Sequence, residues 1–249
     1  MADLRTRSWA HPRDHPAWTA DSWSAAALLC IPAFADGIDA CVFRSHNRNS
    51  PATSLLPARR RPFADMHQAL TAPQALIRCL QQMDYPWFVH PVPTLNDDTI
   101  RSVQVIDAFR RHGVTFSEVA EAAYNTFDRR KLLKLWAMSN PGAESKPETT
   151  LRLVVAQVAP DVQSRVLLYD EFGNIITRFN LALEDLRIGI MYDGIVHWTP
   201  SRRAKDIAIM NAAHRLGWYV LRVETDMLKN PLSVQRELQK LIALRLAEG

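Results

Sequence analysis

The chain has 249 residues, 47% of them hydrophobic and 22% charged, which is ordinary for a globular protein and leaves room for one large domain or two small ones. A net charge of +4 and a sequence pI of about 9.1 permit an acidic partner such as nucleic acid without demanding one. Three isolated cysteines, Cys30, Cys41 and Cys79, form no CxxC pair and exclude a zinc cluster; reduced thiols in a cytoplasmic protein are the simplest reading.

The apolar run Ala25–Ala35 has the length of a secretory signal core and ends in Ala-Phe-Ala. The stretch before it is mixed, however, with Asp3, Asp14 and Asp21, and Pro32 interrupts it. A short buried helix is expected instead, capped by Asp21 or Ser22 and ended at Pro32. No apolar run approaches the length that spans a bilayer, so no membrane partner is expected. Residues Ile38–Arg44 alternate like a strand. Residues 47–62 read as a loop that carries Arg59, Arg60 and Arg61. A solvated charged loop is the plain reading, and a phosphate-contacting loop the sharper one.

The spacing predicts a helix over Thr71–Met83, with Thr71 as N-cap and Pro73 in the first turn. The proline-rich stretch Tyr85–Leu95 is expected to be irregular. A helix over Asp97–Arg111 buries Ile100, Val103, Val105, Ile106 and Phe109, and stops at Gly113. Thr115 and Glu118 form a capping box that opens Phe116–Tyr124. Asp128–Met138 sets Leu132, Leu133 and Leu135 among Arg129, Arg130, Lys131 and Lys134. This is a basic helix with either a solvated face or a DNA-facing one. Asn140-Pro141-Gly142 breaks the pattern. The expected organisation is therefore a mostly helical region over 1–140 and an α/β domain over 141–249.

In that second region, Ser145 and Glu148 have capping-box spacing at the start of a helix running to about Val158. Arg152, one turn on, is placed to pair with Glu148. Strands are expected at Val162–Asp170, Asn174–Ala182 and Leu186–Asp193, the last two joined by a turn at Leu183–Asp185. Alternation puts Leu186, Ile188 and Ile190 on one face, and Arg187, Gly189, Met191 and Asp193 on the other. Asp193 is thereby delivered to the strand's C-terminal end, where α/β proteins tend to hold their chemistry. A helix over Pro200–Leu216 is capped by Thr199 and ended by Gly217. Its first turns carry Arg202, Arg203 and Lys205, at the end of the dipole that favours anions. Either phosphate or plain solvation accounts for them. A strand at Trp218–Val223 and a helix at Pro231–Ala247 complete the chain. That last helix is expected to bury Leu232, Val234, Leu238, Leu241, Ile242 and Leu246.

The runs FNLALEDLRIGIMYDGIVHW (179–198), HRLGWYVLRV (214–223) and PGAESKPETTLRLVV (141–155), in that spacing, resemble the nuclease-like domain of an actinobacterial family. That family is similar to the very-short-patch repair endonucleases, in the PD-(D/E)xK, restriction-endonuclease-like superfamily. SWSAAALLCIP and VIDAFRRHGVTFSEV resemble pieces of the family's helical front half. The resemblance implies a helical N-terminal half followed by a central mixed sheet flanked by helices. It implies a Mg²⁺ site built from Asp193 and Glu148, assisted by His197, with acids where this chain has Asn180 and Met191. Asn180 offers only a neutral carbonyl oxygen, and Met191 a soft thioether that does not suit Mg²⁺.

Three functional readings follow from these residues. One is a DNA-binding protein with weak or lost metal-dependent cleavage and weak Mg²⁺ binding, its contacts made by Arg202, Arg203, Lys205 and Arg59–Arg61. The second is an active Mg²⁺-dependent DNA endonuclease using Asp193 and Glu148. A protein-interaction module on an inactive nuclease fold is the third alternative. Oligomeric state is not readable.

Overall fold

A computed structural model describes residues 4–6, 8, 18–31, 42–44, 61–62, 68–83, 87–194 and 200–248. The chain is mixed α/β and divides into two units. The first comprises Met1–Phe88 and Arg101–Pro141, and the second Val89–Ile100 and Gly142–Gly249. The second unit thus takes in a segment outside the expected range 141–249. Among the described residues, no helix is long and apolar enough to cross a membrane.

The first unit holds a small sheet of short strands, β1 (Trp18–Ala20), β2 (Val42–Arg44), β3 (Arg61–Pro62) and β4 (Gln68–Ala69), in the order β2-β1-β4-β3. Of the strand expected over Ile38–Arg44, Val42–Arg44 is described. Helix α1 (Ser22–Leu28) is buried along its whole length. Its N-cap is Asp21, whose carboxylate accepts the Ser22 N–H at 2.7 Å and a fork of hydrogen bonds from Arg78 on α2 (Ala72–Gln81). Helix α3 (Asp97–Arg111) buries Ile100, Val103, Val105, Ile106 and Phe109, as its apolar spacing requires, and Gly113 follows at φ +85°. Helix α4 (Phe116–Ala122) opens on the Thr115–Glu118 capping box. Helix α5 (Arg129–Ala137) buries Leu132 and Leu135. Leu133 is exposed beside Arg129, Arg130, Lys131 and Lys134, so the basic side of the helix is exposed.

The second unit is built on a four-stranded mixed sheet of order β5-β6-β7-β8. It comprises β5 (Gln163–Tyr169), β6 (Ile175–Leu183), β7 (Ile188–Asp193) and β8 (Tyr219–Glu224). The first three strands run antiparallel in sequence, and β7 and β8 are parallel. A parallel pair needs a crossover, which helix α7 (Pro200–Arg215) supplies. Helix α6 (Lys146–Ala156) precedes the sheet. The short α8 (Thr225–Leu228) and long α9 (Pro231–Glu248) follow it, with α9 packed on α6, α8 and β8.

Alternation divides the sheet's side chains between two faces. On one, Ala182 and Met191 join Phe179, Leu168, Trp218 and Val220 against Ala213 of α7. Leu181, Ile188, Ile190 and Val223, all nearly or fully buried, point the other way. Phe179 and Ala182 share a face although they are three residues apart, so the alternation breaks between them. The β5–β6 register is continuous from Gln163–Ala182 to Leu168–Thr177 and shifts between Leu168 and Tyr169. Arg165 has φ +62°, unusual for a non-glycine residue in a strand.

The β6–β7 turn differs from the expected Leu183–Asp185. Strand β6 runs on through Leu183 and β7 starts at Ile188 rather than Leu186. Arg187, at φ +48°, donates its N–H to the Glu184 carbonyl at 2.9 Å, and its carbonyl accepts the Tyr219 N–H at 2.9 Å. The left-handed residue Arg187 lies in the turn, which sits nearer β7 than expected. In α9, Val234 and Leu238 are buried, but Leu232 and Leu246 are 58% and 68% exposed, contrary to the expected stripe. Buried contacts are concentrated in the helix's N-terminal part.

Gly189 is required by its neighbour. A Cβ there would lie 2.4 Å from the Phe179 ring, which is fully buried. Gly189→Ala is expected to cost about 1–3 kcal/mol, since overpacking a filled core forces a shift elsewhere. The penalty should shrink when Phe179 is also changed to Leu. Urea denaturation of the single and double variants checks both statements.

Candidate functional site

Asp193 ends β7. Across the parallel pair, Met191 lies opposite Arg222 and Asp193 opposite Glu224. Arg222 therefore stands on the same sheet face as Met191 and Asp193. Its Nε donates to Asp193 Oδ2 at 2.7 Å, and its Nη2 donates to the same oxygen and to Asp206 Oδ2, the latter at 3.2 Å. Asp206 comes from α7, so three elements converge on one guanidinium. The three side chains are 27–30% exposed, neither free in water nor dry. Burial works against the charge on Arg222. The hydrogen bonds and charges of Asp193 and then Asp206 outweigh it, so its pKa is raised and it stays protonated more firmly than a free arginine.

The other residues implied for a metal site are occupied elsewhere. Asn180 Oδ1 accepts the Tyr192 N–H of the neighbouring strand at 2.8 Å. Met191 packs against the Phe179 core. Glu148 lies at the start of α6 and turns toward the residues just before the helix. Its Oε1 accepts the Ser145 hydroxyl at 2.8 Å, and its Oε2 accepts the Glu144 N–H at 3.0 Å. Glu144 itself bridges Arg165 and Arg178 at 3.1 and 2.8 Å. Arg178 is exposed and precedes Phe179, which faces α7, so this ionic cluster lies on the opposite side of the sheet from Asp193.

Among the described residues, no group of three or more His, Cys, Asp or Glu could hold a metal ion. Mg²⁺ demands near-octahedral oxygen donors, usually with a carboxylate free to bind it. A carboxylate held by arginine, an amide oxygen held by a backbone N–H, a thioether in a core and a glutamate held by Ser145 and the Glu144 N–H do not fit that demand.

The cationic positions are placed only in part. Arg202 and Arg203 lie in the first turns of α7 and Lys205 is exposed on the same helix. Arg61 lies in β3. The side chains of Arg61, Arg202 and Arg203, and all of Arg59, Arg60, His197 and Thr199, fall outside the described residues.

Arg222 was missed by sequence reasoning. The signal was present: it is the lone charge in WYVLRV and shares parity with Trp218 and Val220, so it must point into the α7 face. A cation there needs an anionic partner. Asp193 is legible at the end of its strand, but nothing local joins it or Asp206 to residue 222. No family model, no curated protein and no solved structure matches this chain.

Proposed function

We propose that this chain binds duplex DNA on a restriction-endonuclease-like fold and does not perform metal-dependent cleavage. The resemblance of residues 141–155, 179–198 and 214–223 to the nuclease-like family supports the fold and the partner. The observation that carries the loss of cleavage is the engagement of Asp193 by Arg222. Asp193 is the acid on which a nuclease reading depends, and its charge is already balanced by a cation of the chain itself.

The DNA-binding surface is the start of α7. Arg202, Arg203 and Lys205 lie in the first turns of the helix, whose N-terminal end carries a partial positive charge, an arrangement suited to phosphate. Phosphate contacts of this kind position a protein without reading sequence. The binding is therefore salt-sensitive and largely independent of base sequence.

Fluorescence anisotropy with a labelled duplex tests this reading, starting at about 50 mM salt, where phosphate-driven binding is strong. Changing Arg202, Arg203 and Lys205 together to Ala should weaken binding. It should also flatten the log–log salt dependence by about 0.9 for each phosphate no longer neutralised. Absence of binding by the wild-type chain would reject DNA as the partner and favour a protein partner. An unchanged slope and affinity in the triple variant would move the site off α7.

A further inference from the structure

We infer that Arg222 is the resident cation of this site: its guanidinium fills the place between Asp193 and Asp206 that a divalent ion would need, and it, rather than Asn180 and Met191, keeps such an ion out. This deepens the nuclease-like reading above and rests on it.

The geometry is specific. Asp193 comes from the end of β7, Asp206 from α7 and Arg222 from β8. One Oδ2 from each acid is directed at the same guanidinium. A single guanidinium facing two carboxylates leaves one negative charge in excess. Deleting the guanidinium leaves two acids from different elements facing one gap, with like charges that repel. A hard dication relieves that repulsion and suits carboxylate oxygens. Adding acids at 180 and 191 achieves less, because Arg222 would remain in place. Asn180→Asp also alters the group that holds the Tyr192 N–H, and Met191→Glu sets a charge against the Phe179 core.

Titration calorimetry with Mn²⁺, a probe that takes the same oxygen donors as Mg²⁺, separates the two accounts. The full-length wild type, R222M, R222M/D206N and N180D/M191E would be compared, each checked for a cooperative melt. R222M should bind Mn²⁺ at least tenfold more tightly than wild type, and R222M/D206N should lose that gain. N180D/M191E should bind no better than wild type. Should R222M not fold, R222Q, which keeps a hydrogen-bond donor without the charge, carries the same comparison. An R222 variant that folds without gaining Mn²⁺ affinity overturns the inference. So does tight binding by N180D/M191E with Arg222 intact. Either outcome leaves the DNA-binding reading standing, because that reading fails only if the wild-type chain does not bind a duplex.

Discussion

Phe179→Ala should cost about 3–5 kcal/mol, the range for deleting a buried aromatic ring. The ring is fully buried in the cluster with Leu168, Ala182 and Ala213. It meets the Trp218 ring at a centroid distance of 5.2 Å and an interplanar angle of 30°. Its other flank lies where a Cβ of Gly189 would be, so strand backbone forms that wall of the site. Backbone of a hydrogen-bonded strand cannot slide inward to fill a void, so the cavity would stay open and the upper part of the range applies. Urea denaturation followed by tryptophan fluorescence reads the effect directly. A loss below about 1 kcal/mol, the scale of a surface substitution, would mean that the ring does not organise this core.

Leu238→Ala should cost about 2–5 kcal/mol. Leu238 is fully buried on α9, the helix that packs on α6, α8 and β8. Few other side chains share that role: only Pro231, Val234 and Leu238 of α9 are buried, while Leu232, Leu244 and Leu246 are exposed. At its far end the helix is pinned by polar contacts. Arg245 lies 4.2 Å from the centre of the Tyr219 ring and donates to the Gly217 carbonyl, and Glu248 accepts the Tyr219 hydroxyl at 2.9 Å. These polar contacts are expected to contribute less than a buried core leucine, since a net intramolecular hydrogen bond is worth about 1 kcal/mol. Leu246→Ala serves as the control and should stay within about 0.5 kcal/mol, as a surface change. Equal losses for the two variants would show that the buried face of α9 has been misplaced.

The elements were legible because their signals are local. The capping box at Thr115 and Glu118, the glycines at 113 and 217 and the 3.6-residue apolar spacing of Asp97–Arg111 each act within one or two turns. The structure contains each of them. The β7 alternation was legible for the same reason, and Ile188 and Ile190 are fully buried as it requires. What was not legible depends on partners distant in sequence. Arg187, with its positive φ, lies in the turn and has its carbonyl taken by Tyr219, 32 residues on. Asn180 was read as a weakened ligand, and its actual partner is a backbone N–H of the next strand. Glu148 had one local and one distant reading, and its contacts are local, to the Glu144 N–H and the Ser145 hydroxyl. Arg222 is the largest omission. Its acids lie 29 and 16 residues upstream, and only the parallel β7–β8 register together with the α7 crossover brings them to it.

On the proposed function, the chain binds DNA while Asp193 serves a guanidinium and not a metal. The most direct measurement is an agarose mobility assay of supercoiled plasmid with the wild-type protein and Mg²⁺, read in the same lanes for retardation and for nicking. The account predicts plasmid that is retarded at low salt, released at high salt, and recovered fully supercoiled. Mg²⁺-dependent conversion to the relaxed form, abolished by Asp193→Asn, would contradict it.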